Sequence, residues 1–135
     1  MADFSDLSPE TYADREGLFH LLGITTGEIE ADHDPNSGVN SENCPPFPPD
    51  LNDLVRLHET IRSRRVVTIL EFGTGYSTFV MADALDKNYR EFGETPEFRR
   101  LRRNNPFELH VVDAGKQWVN LAANRISSTL QEFCH

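Results

Sequence analysis

The stretch VVTILEFGTGYSTFV, residues 66–80, decides how this chain folds. Its first half is apolar and rich in β-branched side chains, as expected of a strand that is covered on both faces in a parallel sheet. Two glycines one residue apart follow, and a second apolar run then begins. The pattern predicts a strand over residues 66–72, a tight turn at Gly73 and Gly75, and a helix that begins near Ser77.

The sequence on either side of this stretch predicts further helices and one further strand. Residues 8–23 and residues 51–64 have apolar side chains at helical spacing, and a capping side chain precedes each apolar run. FELHVVD, residues 107–113, predicts a second strand, and residues 115–133 predict a closing helix. Strands that alternate with helices indicate a parallel sheet with right-handed crossovers. We therefore expect an α/β fold.

Composition divides the chain into two parts. Residues 1–50 contain the first helix and an acidic, Pro-rich arm, and residues 51–135 contain the strand-and-helix pattern. The formal net charge is −9 over 135 residues, which argues against non-specific binding of nucleic acid because phosphates are met by surplus Lys and Arg. No run of 18 apolar residues and no signal segment is present, so we expect a cytoplasmic protein that neither spans a membrane nor is secreted.

A strand, a glycine turn and a helix together form a corner at which anions and nucleotides bind. A phosphate-binding P-loop would need a Lys that follows the second glycine at a fixed spacing, and no such Lys follows Gly75. A dinucleotide-binding fold would need a third glycine at the position of Thr78. Neither of these two ligand types fits the turn well.

ILEFGTGYST resembles the first motif of the class I, or Rossmann-like, S-adenosylmethionine-dependent methyltransferases, in which E/D-x-G-x-G-x-[ST] follows an apolar strand. The resemblance implies the N-terminal part of a Rossmann-like parallel sheet, preceded by a helical and loop-rich segment. It also implies that Glu71 helps to hold the methionine moiety of S-adenosylmethionine through its ammonium group. Gly73 and Gly75 would let the cofactor cross the sheet edge. A cationic ligand without phosphate suits a carboxylate at the strand end, whereas a pyrophosphate would be repelled.

LHVVDAG supplies the second match to this family. The acidic residue at the end of the second strand would hydrogen-bond the ribose hydroxyls, a role that falls on Asp113. A carboxylate there can accept from two vicinal hydroxyls at once. The cofactor site that the resemblance implies consists of Glu71, Phe72, Gly73, Thr74, Gly75, Ser77, Asp113 and Ala114.

The spacing of the two acidic residues departs from the usual pattern. Asp113 lies 42 residues after Glu71, where roughly 20 is usual for this kind of fold. We interpret residues 87–107 as an insertion that accounts for the excess. Within it, RRLRR at residues 99–103 indicates a solvated segment paired with nearby glutamates, or alternatively a site for the phosphates of RNA or of a phosphorylated acceptor.

The resemblance covers residues 66 to about 126 and assigns neither a catalytic residue nor a methyl acceptor. Two strands cannot complete the seven-stranded sheet of this family, so we expect that the chain alone is not a competent methyltransferase. The exposed edge of such a sheet could pair with a second copy of the chain, so a homo-oligomer is possible. Two alternatives are a degenerate, non-enzymatic binding domain with the same fold and a nucleotide-dependent oxidoreductase with an atypical turn.

The remaining chemistry-bearing residues form no recognisable site. The five histidines and two cysteines lack metal-ligand spacing, so no metal site is predicted. Cys44 and Cys134 are far apart, and we expect both to be reduced thiols. His58 lies on an apolar helix face, where a hydrogen-bonded packing histidine is expected. Trp118 is expected to pack against the sheet, or alternatively to lie at the edge of the adenine.

Overall fold

The computed structural model describes residues 7–24, 50–101 and 106–135. Seven helices and a two-stranded parallel sheet within these ranges confirm the predicted α/β class. Most of the predicted Pro-rich arm lies outside the described residues, as do Arg102 and Arg103. The elements in chain order are α1 (Pro9–Glu16), α2 (Leu18–Leu22), α3 (Leu51–Ser63), β1 (Thr68–Phe72), α4 (Tyr76–Phe92), α5 (Pro96–Arg99), β2 (Glu108–Val112), α6 (Lys116–Arg125) and α7 (Ser128–Gln131).

The first predicted helix is divided into α1 and α2 by a glycine. Ser8 caps α1, since its hydroxyl oxygen accepts from the backbone N–H of Thr11. Gly17 has φ of +74° and donates its N–H back to the carbonyl of Asp14 at 3.1 Å. Glycine adopts this left-handed conformation at no steric cost, and the conformation ends the first helix. The prediction of one continuous helix over residues 8–23 is therefore wrong.

Helix α3 begins and ends close to its predicted bounds. The side chain of Asp50 caps it by accepting from the N–H of Asp53 at 3.2 Å. Its apolar face packs against α1 and α4. The buried residues of α3 recur at the helical spacing expected from the sequence and are Leu51, Leu54, Val55, His58 and Ile61.

The two strands pair in parallel and in register, from Thr68 opposite Glu108 to Phe72 opposite Val112. Both strands are a little shorter than predicted. The sheet continues beyond β2 for one residue pair, because Leu109 also forms a parallel bridge with Cys134. Within the described residues, β2 therefore lies between β1 and the C-terminal end of the chain.

The two faces of β1 differ in exposure. Glu71 is buried on the face that carries the core, whereas Leu70 is 59% exposed and Phe72 is 79% exposed on the other face. Val112, the partner of Phe72 in β2, is 53% exposed. The prediction of a strand covered on both faces is therefore wrong for the described part of the chain, which covers only one face.

The predicted C-terminal helix is also divided in two. Ile126 has an extended backbone at the end of α6, and Ser127 then caps α7 by accepting from the N–H of Leu130 at 3.4 Å. Ile126, Leu130 and Phe133 are all buried. The segment thus forms two helices rather than one, and its apolar side chains still reach the core.

Two apolar cores hold these elements together. One joins the N-terminal helices to α3 and α4, and its buried members include Tyr12, Leu18, Leu51 and Val80. The other lies between the sheet, α4 and the C-terminal segment, and its buried members include Leu85, Phe107, Leu109 and Phe133. No helix within the described ranges is long and apolar enough to cross a membrane.

Candidate functional site

The glycine turn joins β1 to α4 as the sequence predicts. Gly73 has φ of +94° and donates its N–H to the carbonyl of Val112 at 2.8 Å, which continues the sheet ladder into the turn. Gly75 is extended, with φ of −179°, and α4 begins at Tyr76. A Cβ placed on either glycine would meet no heavy atom within 4 Å apart from those of its two neighbours in the chain. The backbone of the turn is therefore open to close approach by a ligand.

Glu71 joins the end of β1 to the first turn of α4. Its carboxylate oxygens accept from the hydroxyls of Ser77 and Thr78 at 2.5 and 2.7 Å, and the residue is 8% exposed. Thr78 Oγ1 accepts in turn from the N–H of Gly75 at 3.1 Å. Burial raises the pKa of Glu71 against the opposing effect of the two hydroxyl bonds, and the charge of Asp113 raises it further.

Asp113 joins the end of β2 to the glycine turn. Its Oδ2 accepts from both the backbone N–H and the hydroxyl of Thr74, each at 2.8 Å. Its Oδ1 accepts from the N–H of Gly115 at 2.7 Å, in a turn typical of Asp before a helix. The hydrogen bond from Gly115 and the two from Thr74 lower the pKa of Asp113, so its carboxylate is ionised at neutral pH.

The two carboxylates lie at the ends of adjacent parallel strands, as predicted. Each already accepts hydrogen bonds from the glycine turn or from the helix that follows it, so neither carboxylate is without a partner in the chain. The side chain of Phe72 lies on the opposite, exposed face of the sheet, away from Glu71. Ala114 is exposed beside Asp113. The turn thus brings the predicted residues together except for the side chain of Phe72.

Sequence reasoning missed Thr78 and Gly115 as parts of this arrangement. Thr78 is three residues after Gly75, the spacing at which a hydroxyl can reach back to the N–H at the start of a helix. Gly115 is two residues after Asp113, the spacing of an Asp side chain that bonds the backbone ahead of it. Both spacings are visible in the sequence and could have identified these contacts.

Two small apolar cavities lie beside the turn. One of about 50 Å³ is lined by Thr74, Gly75 and Trp118, and the other, of about 190 Å³, is lined by Thr74, Thr78 and side chains of α6. Trp118 is 38% exposed. The prediction that it packs into the core against the sheet is therefore wrong. Trp118 and Gly75 line the same cavity, and the alternative prediction of a contact with adenine stays a prediction.

A second polar cluster lies away from the turn, between α1, α3 and α4. His58 is fully buried, its Nδ1 is 2.8 Å from the hydroxyl of Tyr12, and its Nε2 is 3.0 Å from Asp83. Lys87 contacts Asp83 at 2.7 Å and donates to the carbonyl of Glu16 at 2.6 Å. The prediction that His58 is a hydrogen-bonded packing histidine is confirmed.

The predicted insertion is partly helical. Helix α4 continues to Phe92, beyond the start of the segment, and α5 follows after a short turn. Arg99, the first residue of RRLRR, pairs with Glu94, as expected of a solvated segment. Glu91 and Glu97 pair instead with Arg62 and Arg65 near the end of α3.

Comparison with protein-family models, with curated proteins and with solved structures found no match for this chain. The assignment of a function therefore depends on the sequence motif and on the geometry of the turn. Among the described residues, no group of three or more His, Cys, Asp or Glu side chains could hold a metal ion. The site is a glycine turn flanked by two carboxylates.

Proposed function

We propose that this chain is the cofactor-binding part of a class I S-adenosylmethionine-dependent methyltransferase. The observation that supports this most is the open turn at Gly73 and Gly75 between two strand-end carboxylates, Glu71 and Asp113. In open α/β sheets, ligands bind outside the carboxyl ends of the strands. The proposal assigns the ligand to that edge of the sheet, above the two glycines.

The hydrogen bonds of the turn favour a cation over a phosphate. A phosphate at such a corner is bound by free backbone N–H groups. Here the N–H of Thr74 already donates to Asp113, and that of Gly75 donates to Thr78. Two carboxylates beside the turn would also repel a pyrophosphate and attract an ammonium or sulfonium group. The oxidoreductase alternative, which requires a dinucleotide, is therefore the less well supported one.

The residues of the turn fit the proposed cofactor in three ways. Gly73 and Gly75 leave space for it to cross the backbone closely. Asp113 would accept from its ribose hydroxyls, and Glu71 would supply negative charge near its ammonium group while keeping the first turn of α4 in place. When bound, the cofactor supplies a methyl group on a sulfonium, whose transfer requires in-line alignment with a nucleophile. The nucleophile and its acceptor pocket are not assigned.

One observation favours the second candidate, a non-enzymatic domain that retains the fold. Both carboxylates are already bonded within the chain, by Thr74, Gly115, Ser77 and Thr78, and these contacts stabilise the turn without any ligand. A domain that had lost its cofactor would keep such contacts. The two candidates differ in whether the turn binds S-adenosylmethionine or its product. The cytoplasmic location expected from the sequence stays a prediction, and so does the homo-oligomer that an exposed sheet edge allows.

A ligand-observed NMR experiment tests the proposal, because this method can detect weak binding. Saturation transfer would be measured from the protein to S-adenosylhomocysteine and, separately, to NAD. We expect transfer to S-adenosylhomocysteine that the Gly75→Val variant loses and that the matched Asn120→Val variant, on the exposed surface of α6, keeps. Transfer to NAD alone would support the oxidoreductase, and transfer to neither ligand would support the non-enzymatic domain.

A further inference from the structure

We propose that the hydroxyl of Thr74 competes with the ligand for Asp113 and so sets how well the site accepts a vicinal diol. This inference rests on the proposed function, because it concerns the ribose of the cofactor. Thr74 lies in the glycine turn between Gly73 and Gly75, and Asp113 ends the neighbouring strand. The competition follows from the number of hydrogen bonds that one carboxylate can accept.

The acceptor sites of Asp113 are nearly filled. An ionised carboxylate offers about four lone-pair sites, two on each oxygen. Oδ2 accepts from the N–H and the hydroxyl of Thr74, both at 2.8 Å, and Oδ1 accepts from the N–H of Gly115 at 2.7 Å. One site on Oδ1 remains for a ligand within the described structure. A vicinal diol that donates both of its hydroxyls needs two.

The hydroxyl of Thr74 is the donor that can leave. The N–H groups of Thr74 and Gly115 belong to the backbone of the turn and of the start of α6, and they cannot turn away without moving those elements. The hydroxyl moves by rotation about a single side-chain bond. Thr74 is only half-buried, so its hydroxyl can bond water after it rotates. The two N–H groups would then hold the carboxylate in place for the ligand.

The position of Thr74 thus predicts a selective effect of one substitution. Thr74→Val keeps the branched shape and the backbone N–H but removes the competing hydroxyl. A diol would no longer need to displace it, whereas a ligand with one hydroxyl at this position could use the open site on Oδ1 in either protein. A net hydrogen bond of about 1 kcal/mol corresponds to about fivefold in affinity.

The test compares adenosine with 2′-deoxyadenosine on three proteins by protein-observed NMR titration. We expect Thr74→Val to bind adenosine about fivefold more tightly than the unmodified chain, with no gain for 2′-deoxyadenosine. Thr74→Ser keeps a hydroxyl and should bind like the unmodified chain. Should Thr74→Val fail to fold, Thr74→Ala removes the same hydroxyl and carries the same expectation.

Four outcomes would overturn the inference, three in the binding data and one measured without ligand. Equal gains for both nucleosides, or no gain for either, would show that the hydroxyl does not compete, while the proposed function would stand. Failure of every protein to bind adenosine would overturn the proposed function together with the inference.

A second experiment needs no ligand and follows the titration of the Asp113 carboxyl carbon. The pKa of Asp113 should rise in Thr74→Val, and an unchanged pKa would contradict the hydrogen bond on which the inference depends.

Discussion

Thr74 and Asp113, 39 residues apart in the chain, are joined by two hydrogen bonds of 2.8 Å, one from the Thr74 backbone and one from its hydroxyl. The glycine turn after β1 is thereby fastened to the end of β2. On the other side, Glu71 fastens the same turn to the first turn of α4 through Ser77 and Thr78. The two carboxylates therefore determine the shape of the turn as well as the charge around it.

Asp113→Asn should loosen the turn without unfolding the chain. An amide offers one acceptor oxygen, so it cannot accept from Thr74 and Gly115 in the way that two carboxylate oxygens do. Hydrogen exchange of the Thr74 and Gly115 amides should become faster, while exchange of the amides in α3 should not change. Unchanged exchange at Thr74 would show that the contact does not hold the turn.

The same contact should depend on pH. Hydrogen bonds from Gly115 and Thr74 lower the pKa of Asp113 below its ordinary value of 3.8. The stabilisation is therefore fully present above that ordinary value and is lost as the pH falls through the lowered pKa of the folded chain. We expect protection of the Thr74 amide to be constant from pH 7 to pH 5 and to decrease only in stronger acid. A decrease centred near neutral pH would contradict this assignment.

The two glycines of the turn should respond differently to alanine. Gly73 has φ of +94°, so Gly73→Ala should lower the free energy of unfolding by about 1–2 kcal/mol. Gly75 is extended and has open space around its Cβ position, so Gly75→Ala should change stability little. Chemical denaturation checks both values. A large loss of stability in Gly75→Ala would mean that this glycine is needed by the fold, rather than for ligand approach.

His58 should make stability depend on pH in the weakly acidic range. Burial lowers its pKa below 6.5, and the hydrogen bond to Asp83 only partly opposes this. The unfolded chain then binds a proton that the folded chain does not. The free energy of unfolding should therefore fall as the pH is lowered from 6.5 towards the pKa of the folded state, by up to about 1.4 kcal/mol per pH unit.

Chemical denaturation between pH 5 and pH 8 measures this slope. His58→Gln should flatten it, although the variant will be less stable because the partner groups of His58 are buried. The matched control is His110→Gln, since the His110 side chain is partly exposed on β2. A slope that survives in His58→Gln would show that another group is responsible.

Asn88 should be a major contributor to stability. It is fully buried, and its amide donates to the carbonyls of Ile61 and Val66 while its oxygen accepts from Arg62 at 2.6 Å. Asn88→Ala would leave those two carbonyls without this donor and should cost about 2–4 kcal/mol of unfolding free energy. Asn120→Ala, on exposed α6, should cost almost nothing. Similar losses in both variants would contradict the role of Asn88.

The sequence predicted the elements that local signals specify. Ser8 and Asp50 cap helices where their side chains indicate, and the glycine turn follows β1 as the apolar run and the glycine pair require. The interruptions at Gly17 and Ser127 were missed. A glycine or a serine in an apolar helical pattern is compatible with either a continuous or a divided helix, and packing of the side chains on either side decides between them.

Exposure and hydrogen bonding were harder to predict than secondary structure. The apolar sequence of β1 predicts that both faces of the strand are covered. The exposed side chain of Phe72 shows that one face is not covered by the described residues, because the sequence of a strand does not specify which elements pack on it. Glu71 and Asp113 were correctly expected at neighbouring strand ends. Their partners Thr78 and Gly115 could be recognised only by short spacings, and the bond between Asp113 and Thr74 spans 39 residues. No local pattern specifies such a long-range contact.

Titration of isotope-labelled protein with S-adenosylhomocysteine, followed by amide NMR spectra, tests the central claim most directly. We predict shifts confined to two segments, Gly73–Thr78 and Asp113–Gly115, and their loss in Gly75→Val. Gly75→Val should otherwise give the spectrum of a folded chain, because no heavy atom beyond the two neighbouring residues in the chain lies within 4 Å of the Gly75 Cβ position. Shifts that fall elsewhere, or an absence of shifts at saturating ligand in the folded chain, would contradict the assignment of the turn as a cofactor site.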